Sequence, residues 1–324
     1  MTILDKILRS RAADYTYEPI ARGPDGLLHV PIQVESKYIS ILLRSMKITD
    51  ARRLWNKFHP VVHSYVSIPH RDGIQAEFQV VTSPAELLKL DAGHLDRVIT
   101  LNQPLLGPTP YRGGDLTLKL ALYSVKSSDL AKPFIGVLET MATAAGVSFV
   151  SVAKPFVEPL KKGLELLTGS TELRLEIGLS TSFRKPETGY FFVMRAERGA
   201  VKAADVTIAQ DFRLVNNKNQ AISTYPYFVF SIEVSDSRED WFLIPEIADI
   251  HKQLRLAVRK DKRADVDELF LTFKRIVLTS PDLLEKDAHK LVREVEAELT
   301  KVLPASLTSA ASREIRPLRS IELY

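Results

Sequence analysis

Gly114-Asp115-Leu116-Thr117-Leu118-Lys119-Leu120-Ala121-Leu122-Tyr123-Ser124-Val125 is the stretch whose reading decides the fold. It reads as a strand, and it leads through Ser127-Ser128-Asp129, a good helix start, into the apolar run 133–153. That run carries one charged side chain, Glu139. Before this point the sequence reads as short strands joined by turns. After it, strands return, and the last third changes to helical spacing. The order of these signals predicts an α+β fold: a mainly antiparallel β-sandwich-like body, with an inserted apolar helical segment and a C-terminal helical module.

Composition bounds the class. The 324 residues are 45% hydrophobic and 26% charged, the balance of an ordinary globular chain long enough to bury a large core without staples. There is no cysteine, which excludes disulfides, thiolate zinc sites and Cys nucleophiles. With 44 basic and 40 acidic residues the net charge is +4, too balanced to argue for nucleic acid. The start mixes Asp5, Lys6, Arg9 and Arg11 and lacks the apolar run of a signal peptide. With the missing cysteines, this leads to the expectation of a cytoplasmic protein.

In chain order, residues 1–26 form an N-terminal segment ending in the turn Arg22-Gly23-Pro24-Asp25-Gly26, and 27–128 form the first part of the β-rich body. Strands are expected at 27–34 and 37–48, then a helix over 50–58 capped by Thr49 and closed by Pro60. Strands follow at 61–68 and 75–81 around a turn at His70-Arg71-Asp72-Gly73. Ser83-Pro84 starts a short helix, 97–101 is a strand, and the three prolines and three glycines of 104–114 read as a loop. Segment 129–168 is the apolar helical insertion, broken near Gly146 and adjusted by Pro155 and Pro159. The body resumes over 169–244, with strands at 172–179, 190–194, 204–215 and 225–234. The helical module occupies 245–303. Its three amphipathic helices begin at Pro245, before Val266, and at Ser280-Pro281. Residues 304–324 form a tail.

The candidate chemistry is sparse. His59, His63, His70 and Asp72 are the one local cluster with metal-ligand residue types, although Pro60 and the strand character of 61–68 oppose a helical His pair. No nucleophile elbow, zinc-protease helix, phosphate loop or dinucleotide fingerprint is present, and no cofactor is called for. Phe134, Val137, Leu138, Met141, Phe149 and Val150 are expected in the core, with a membrane or partner surface as the alternative. Arg255, Arg259, Lys260, Lys262 and Arg263 make a basic surface diluted by Asp261, Asp265 and Asp267. Ile315, Leu318, Ile321, Leu323 and Tyr324 space the tail as a partner-binding segment.

These features favour a non-catalytic protein-interaction or structural subunit of an intracellular multi-protein assembly. Its partners would be other protein chains, including further copies of itself. A metal-assisted hydrolase using the His59/His63/His70 cluster, and a conditional membrane-inserting effector using 133–153, are the alternatives. Whether a small molecule binds is left open by the residues.

Overall fold

Leu116, Leu118, Leu120 and Leu122 alternate along strand β7 (Leu116–Lys126), and all four are fully buried, as a period-two strand with one face on a core requires. The computed structural model describes residues 15–21, 23–49, 52–53, 56–70, 75–81, 98–126, 173–196, 200–260 and 262–303. The chain divides into two units, Met1–Ser237 and Arg238–Tyr324. The described residues have mixed α+β content, with antiparallel sheets and three helices.

In the first unit, β7 lies between β4 (Asn56–Pro69) and β8 (Leu173–Phe183), and β4 also pairs with β3 (Arg52–Arg53) and β5 (Gln75–Val81). A second five-stranded sheet has the order β1 (Tyr15–Ile20), β9 (Gly189–Arg195), β12 (Tyr227–Ser235), β2 (Tyr38–Lys47), β6 (Ile99–Pro110). Every neighbouring pair in both sheets is antiparallel. The two sheets contribute to one hydrophobic core. Ile39, Ile41 and Leu43 of β2 and Phe228, Phe230 and Ile232 of β12 cluster with Val62 and Val66 of β4 and the four β7 leucines. Phe191 stacks on Phe230 at 5.2 Å and on Tyr17 at 5.9 Å between ring centroids. The opposite face of the β1–β6 sheet is covered too. Tyr190, Phe192, Met194, Tyr227 and Val229 cluster with Val206 and Leu214 of a hairpin made by β10 (Val206–Ile208) and β11 (Leu214–Asn216).

Several local expectations give way to the ladders. The helix expected over 50–58 is replaced by β3 and the start of β4, because Phe58 and His59 continue a long pairing with β7, opposite Lys126 and Val125. Nine residues of helical spacing are too few to outweigh such a ladder. The loop expected over 104–114 is strand as far as Pro110. Among the described residues β6 pairs with β2 alone, and an edge tolerates Pro104, Pro108 and Pro110 because nothing is asked of their missing N–H groups. The strand expected over 204–215 is the β10–β11 hairpin with a single 3-10 turn, Ala203–Asp205, before it. Residues 27–34 make an isolated bridge, Pro31 to Glu187, in place of a strand. Gly189 begins β9 at φ +137°, where a Cβ would stand 2.3 Å from the His29 ring, so the position demands glycine.

The second unit holds α1 (Pro245–Arg259), α2 (Arg263–Thr279) and α3 (Glu285–Val302). Pro245 occupies the first turn of α1, where a missing N–H costs nothing. The third helix begins at Glu285; Ser280 and Pro281 belong to the preceding turn. Each helix buries one stripe: Ile247, Ile250, Leu254 and Ala257 on α1, Val266, Phe270, Phe273 and Val277 on α2, and Ala288, Leu291, Val295 and Leu299 on α3. The central helix is α2, against which both others pack. The expected insertion 129–168, the short helix at 83–84 and the tail 304–324 lie outside the described residues.

Phe230 is fully buried at the centre of the aromatic stack, so Phe230→Ala is expected to cost about 3–5 kcal/mol in denaturant unfolding. A loss under about 1 kcal/mol would show that the stack does not bear on stability.

Candidate functional site

The second unit leaves an opening where its amphipathic helices do not close on one another. The C-terminal halves of α1 and α3 border a groove of about 190 Å3, lined by His251, Leu254, Arg255, Val258 and Arg259 on α1 and Val295, Glu298, Leu299 and Val302 on α3. The floor is apolar because Leu254, Val295 and Leu299 belong to the buried stripes. The walls are charged because Arg255, Arg259 and Glu298 flank those stripes and are exposed to solvent. Val302 is 61% exposed at the end of α3. The volume falls below the roughly 300–1,000 Å3 usual for small-molecule sites.

Two features fix the geometry. Arg238, with almost no exposed side-chain surface, donates from Nε to Asp240 at 2.8 Å and from Nη1 to the backbone oxygen of Asp282 at 3.3 Å, and its backbone N–H donates to Asp287. The segment leading into α1 is thereby tied to the turn before α3 and to the first turn of α3. Lys274 of α2 is 3.8 Å from Glu296 of α3 and sits over the Phe270 ring. Within the groove, the His251 ring stands edge-on to Trp241 at 5.1 Å and 6.0 Å from Phe273. Partial burial pushes its pKa below the ordinary value of 6.5. The Arg255 charge adds to that, and Glu298 opposes both.

Of the residues singled out in the sequence, Arg255 and Arg259 line this groove, while Lys260, Lys262 and Arg263 are exposed around the α1–α2 connection. Lys262 pairs with Asp265 at 3.4 Å. The groove also uses Val258 and Val302, whose spacing in the sequence places them in the apolar stripes but which are half-buried and exposed, and His251 and Glu298, which sequence reading did not single out. Their signal is their place on the shoulders of the apolar stripes. The histidines are set along a strand. His59 and His63 belong to β4, so four residues of extended chain hold their backbones about 13 Å apart. The His63 side chain is buried and His70 follows β4, while Asp72 and the side chain of His59 lie outside the described residues. Among the described residues no group of three or more His, Asp or Glu is placed to hold a metal ion. Phe134, Val137, Leu138, Met141, Phe149, Val150, Ile315, Leu318, Ile321, Leu323 and Tyr324 also lie outside them. Among the described residues no helix is long and apolar enough to cross a membrane.

The first unit holds a second polar cluster. Both ladders of β2 skip Arg44. Alternation sets its side chain on the face opposite Leu43, and the bulge then brings Met46 to the core face and leaves Ser45 beside Arg44 on the outer one. There Nε donates to Ser231 at 2.9 Å, Nη1 donates to Asn102, and Nη2 pairs with Glu233. The guanidinium also covers the Phe212 ring at 5.1 Å. Phe212 has φ +61°, a strained value for an aromatic residue. Its carbonyl accepts a 2.6 Å hydrogen bond from Ser45, and its ring stacks on Tyr190. The Tyr190 hydroxyl donates to Asp25 at 2.9 Å. Burial raises the Tyr190 pKa, as does that bond. For Asp25, burial acts upward, but hydrogen bonds from Leu27 and Tyr190 outweigh it and hold the carboxyl below its usual range. With each guanidinium nitrogen engaged and a ring beneath it, this cluster serves as a clamp for residues 209–213. An open hollow of about 330 Å3 nearby is lined by Gln210, Asp211, Arg213 and Asn219, but Asp211 and Arg213 satisfy each other at 2.6 Å.

Comparison with models of known protein families, with curated proteins and with solved structures found no match. Geometry therefore carries the functional reading.

The depressed pKa of His251 has a sign that can be checked. Between its folded-state value and the unfolded value near 6.5 the unfolded chain binds more protons. The contribution is therefore complete above about pH 6.5 and is lost as pH falls through that window. Proton NMR is expected to show His251 titrating below about 6.5, and His251→Gln should flatten the fall in stability on acidification. A midpoint at or above the ordinary value would contradict this placement.

Proposed function

We propose that this chain is a non-catalytic protein-binding subunit: a sandwich-like body carrying a helical unit whose α1–α3 groove takes an apolar segment of another protein. The observation that carries the reading is the groove itself, an apolar floor with Val258 and Val302 at its mouth and charged shoulders on both sides. Interfaces are commonly built this way, with a small desolvated centre that anchors side chains and a polar rim that selects the partner. The groove between two helices that share a third also matches the space an amphipathic helix fills when it completes a bundle.

The test places a photo-reactive amino acid at Val302 or Val258 in cells of the native source, with Leu271 as control. Leu271 is 48% exposed on α2 and does not line the groove. A discrete protein adduct is expected from Val302 and Val258 but not from Leu271, and it should disappear when Leu254→Trp fills the floor. Equal adducts from Leu271, or adducts that survive the filled groove, would sink the reading.

A further inference from the structure

The groove is asymmetric in charge, and this bears on what fills it. On one side α1 presents Arg255 and Arg259, four residues apart and therefore neighbours on one helix face. Lys260, Lys262 and Arg263, all exposed, lie beyond the end of α1, where Asp265 pairs with Lys262 and dilutes the sign. On the other side α3 presents the single carboxylate Glu298. The partial negative charge of the two helix C-termini is offset by Arg259 and Lys301 in their last turns. His251, facing Arg255 from its own helix and Glu298 from α3, is held toward its neutral form at pH 7. The groove-lining formal charge is therefore two positive against one negative.

Two kinds of protein segment could meet these walls. One is the chain's own tail, which leaves α3 next to Val302 and has the apolar spacing of Ile315, Leu318 and Ile321. Its charged residues are Arg313, Arg316 and Arg319 against Glu314 and Glu322, so it would bring like charge to the α1 wall. The other is a segment of a different protein with acidic residues flanking its apolar stripe, which would pair with Arg255 and Arg259 in a setting partly shielded from water. Resting on the protein-binding reading above, we infer that the occupant is an acidic amphipathic helix of another protein, its apolar stripe on Leu254, Val295 and Leu299 and its carboxylates against Arg255 and Arg259.

Binding is measured with the full-length chain and three labelled peptides: a synthetic helix with Leu at i, i+4 and i+7 flanked by Glu, the same helix with Lys in place of Glu, and the segment 304–324. The Glu helix is expected to bind, to weaken as salt is added, and to lose about tenfold or more in affinity to the double variant Arg255→Glu/Arg259→Glu. The same variant should gain affinity for the Lys helix, which also shows that it is folded. Equal binding of the Glu and Lys helices would overturn the charge assignment while leaving the groove as a protein-binding site. Tighter binding of 304–324 would make the chain's own tail the occupant and overturn the inference. Binding of none of the three would count against both the inference and the reading on which it rests.

Discussion

Most of the first unit follows from one constraint: two antiparallel sheets hide their inner faces in a common core. Alternation is then compulsory. Residues 116, 118, 120 and 122 of β7 point inward together, as do 228, 230 and 232 of β12, and a slip of one residue in either strand would turn the whole set outward. The constraint also explains the irregularities. The bulge in β2 lets one strand keep Ile39, Ile41 and Leu43 in the core before it and Met46 and Ile48 after it, with Arg44 and Ser45 both on the other face. The prolines gather on β6, an edge, where the ladder makes the least demand on N–H groups.

The second unit obeys the corresponding rule for helices, and obeys it incompletely. Three stripes are buried chiefly on and around α2, and the shoulders of α1 and α3 remain as groove walls. A fully closed bundle would have no room there. At the other end of these helices, Arg238 ties the segment before α1 to the turn before α3 through a guanidinium with about 1% of its side chain exposed. Such a group is costly to bury unless it is hydrogen-bonded, and Asp240 and the backbone oxygen of Asp282 accept from it.

The legible part of the sequence was the part where periodicity and burial coincide. The alternation of 116–122 and the helical stripes of 245–302 each point to one element and one buried face, and the unbroken aromatic run of 227–232 points to a strand buried on both. Legibility ended where a distant partner decides. Phe58 has a helical neighbourhood, but its strand is settled by β7, more than fifty residues away. Pro104, Pro108 and Pro110 look like a loop until an edge position makes them permissible. The strand Tyr15–Ile20 alternates only over Tyr15-Thr16-Tyr17-Glu18 before Pro19 interrupts the pattern, and its pairing is supplied by β9. The groove was half visible: Arg255 and Arg259 stand out as charge, whereas His251, Glu298 and Val302 acquire meaning only once α1 and α3 are set beside α2. The histidines of β4 show the reverse case, a suggestive spacing that extended chain pulls apart.

The central claim is that the shoulders of α1 and α3 are a binding surface and not merely the unfilled edge of a small bundle. Amide hydrogen exchange, followed on the full-length chain alone and in its native complex, addresses it most directly. Slower exchange across residues 251–259 and 295–302 in the complex, with the β4–β7 ladder unchanged, is the predicted result. Unchanged exchange in both segments, with new protection confined to the first unit, would contradict it.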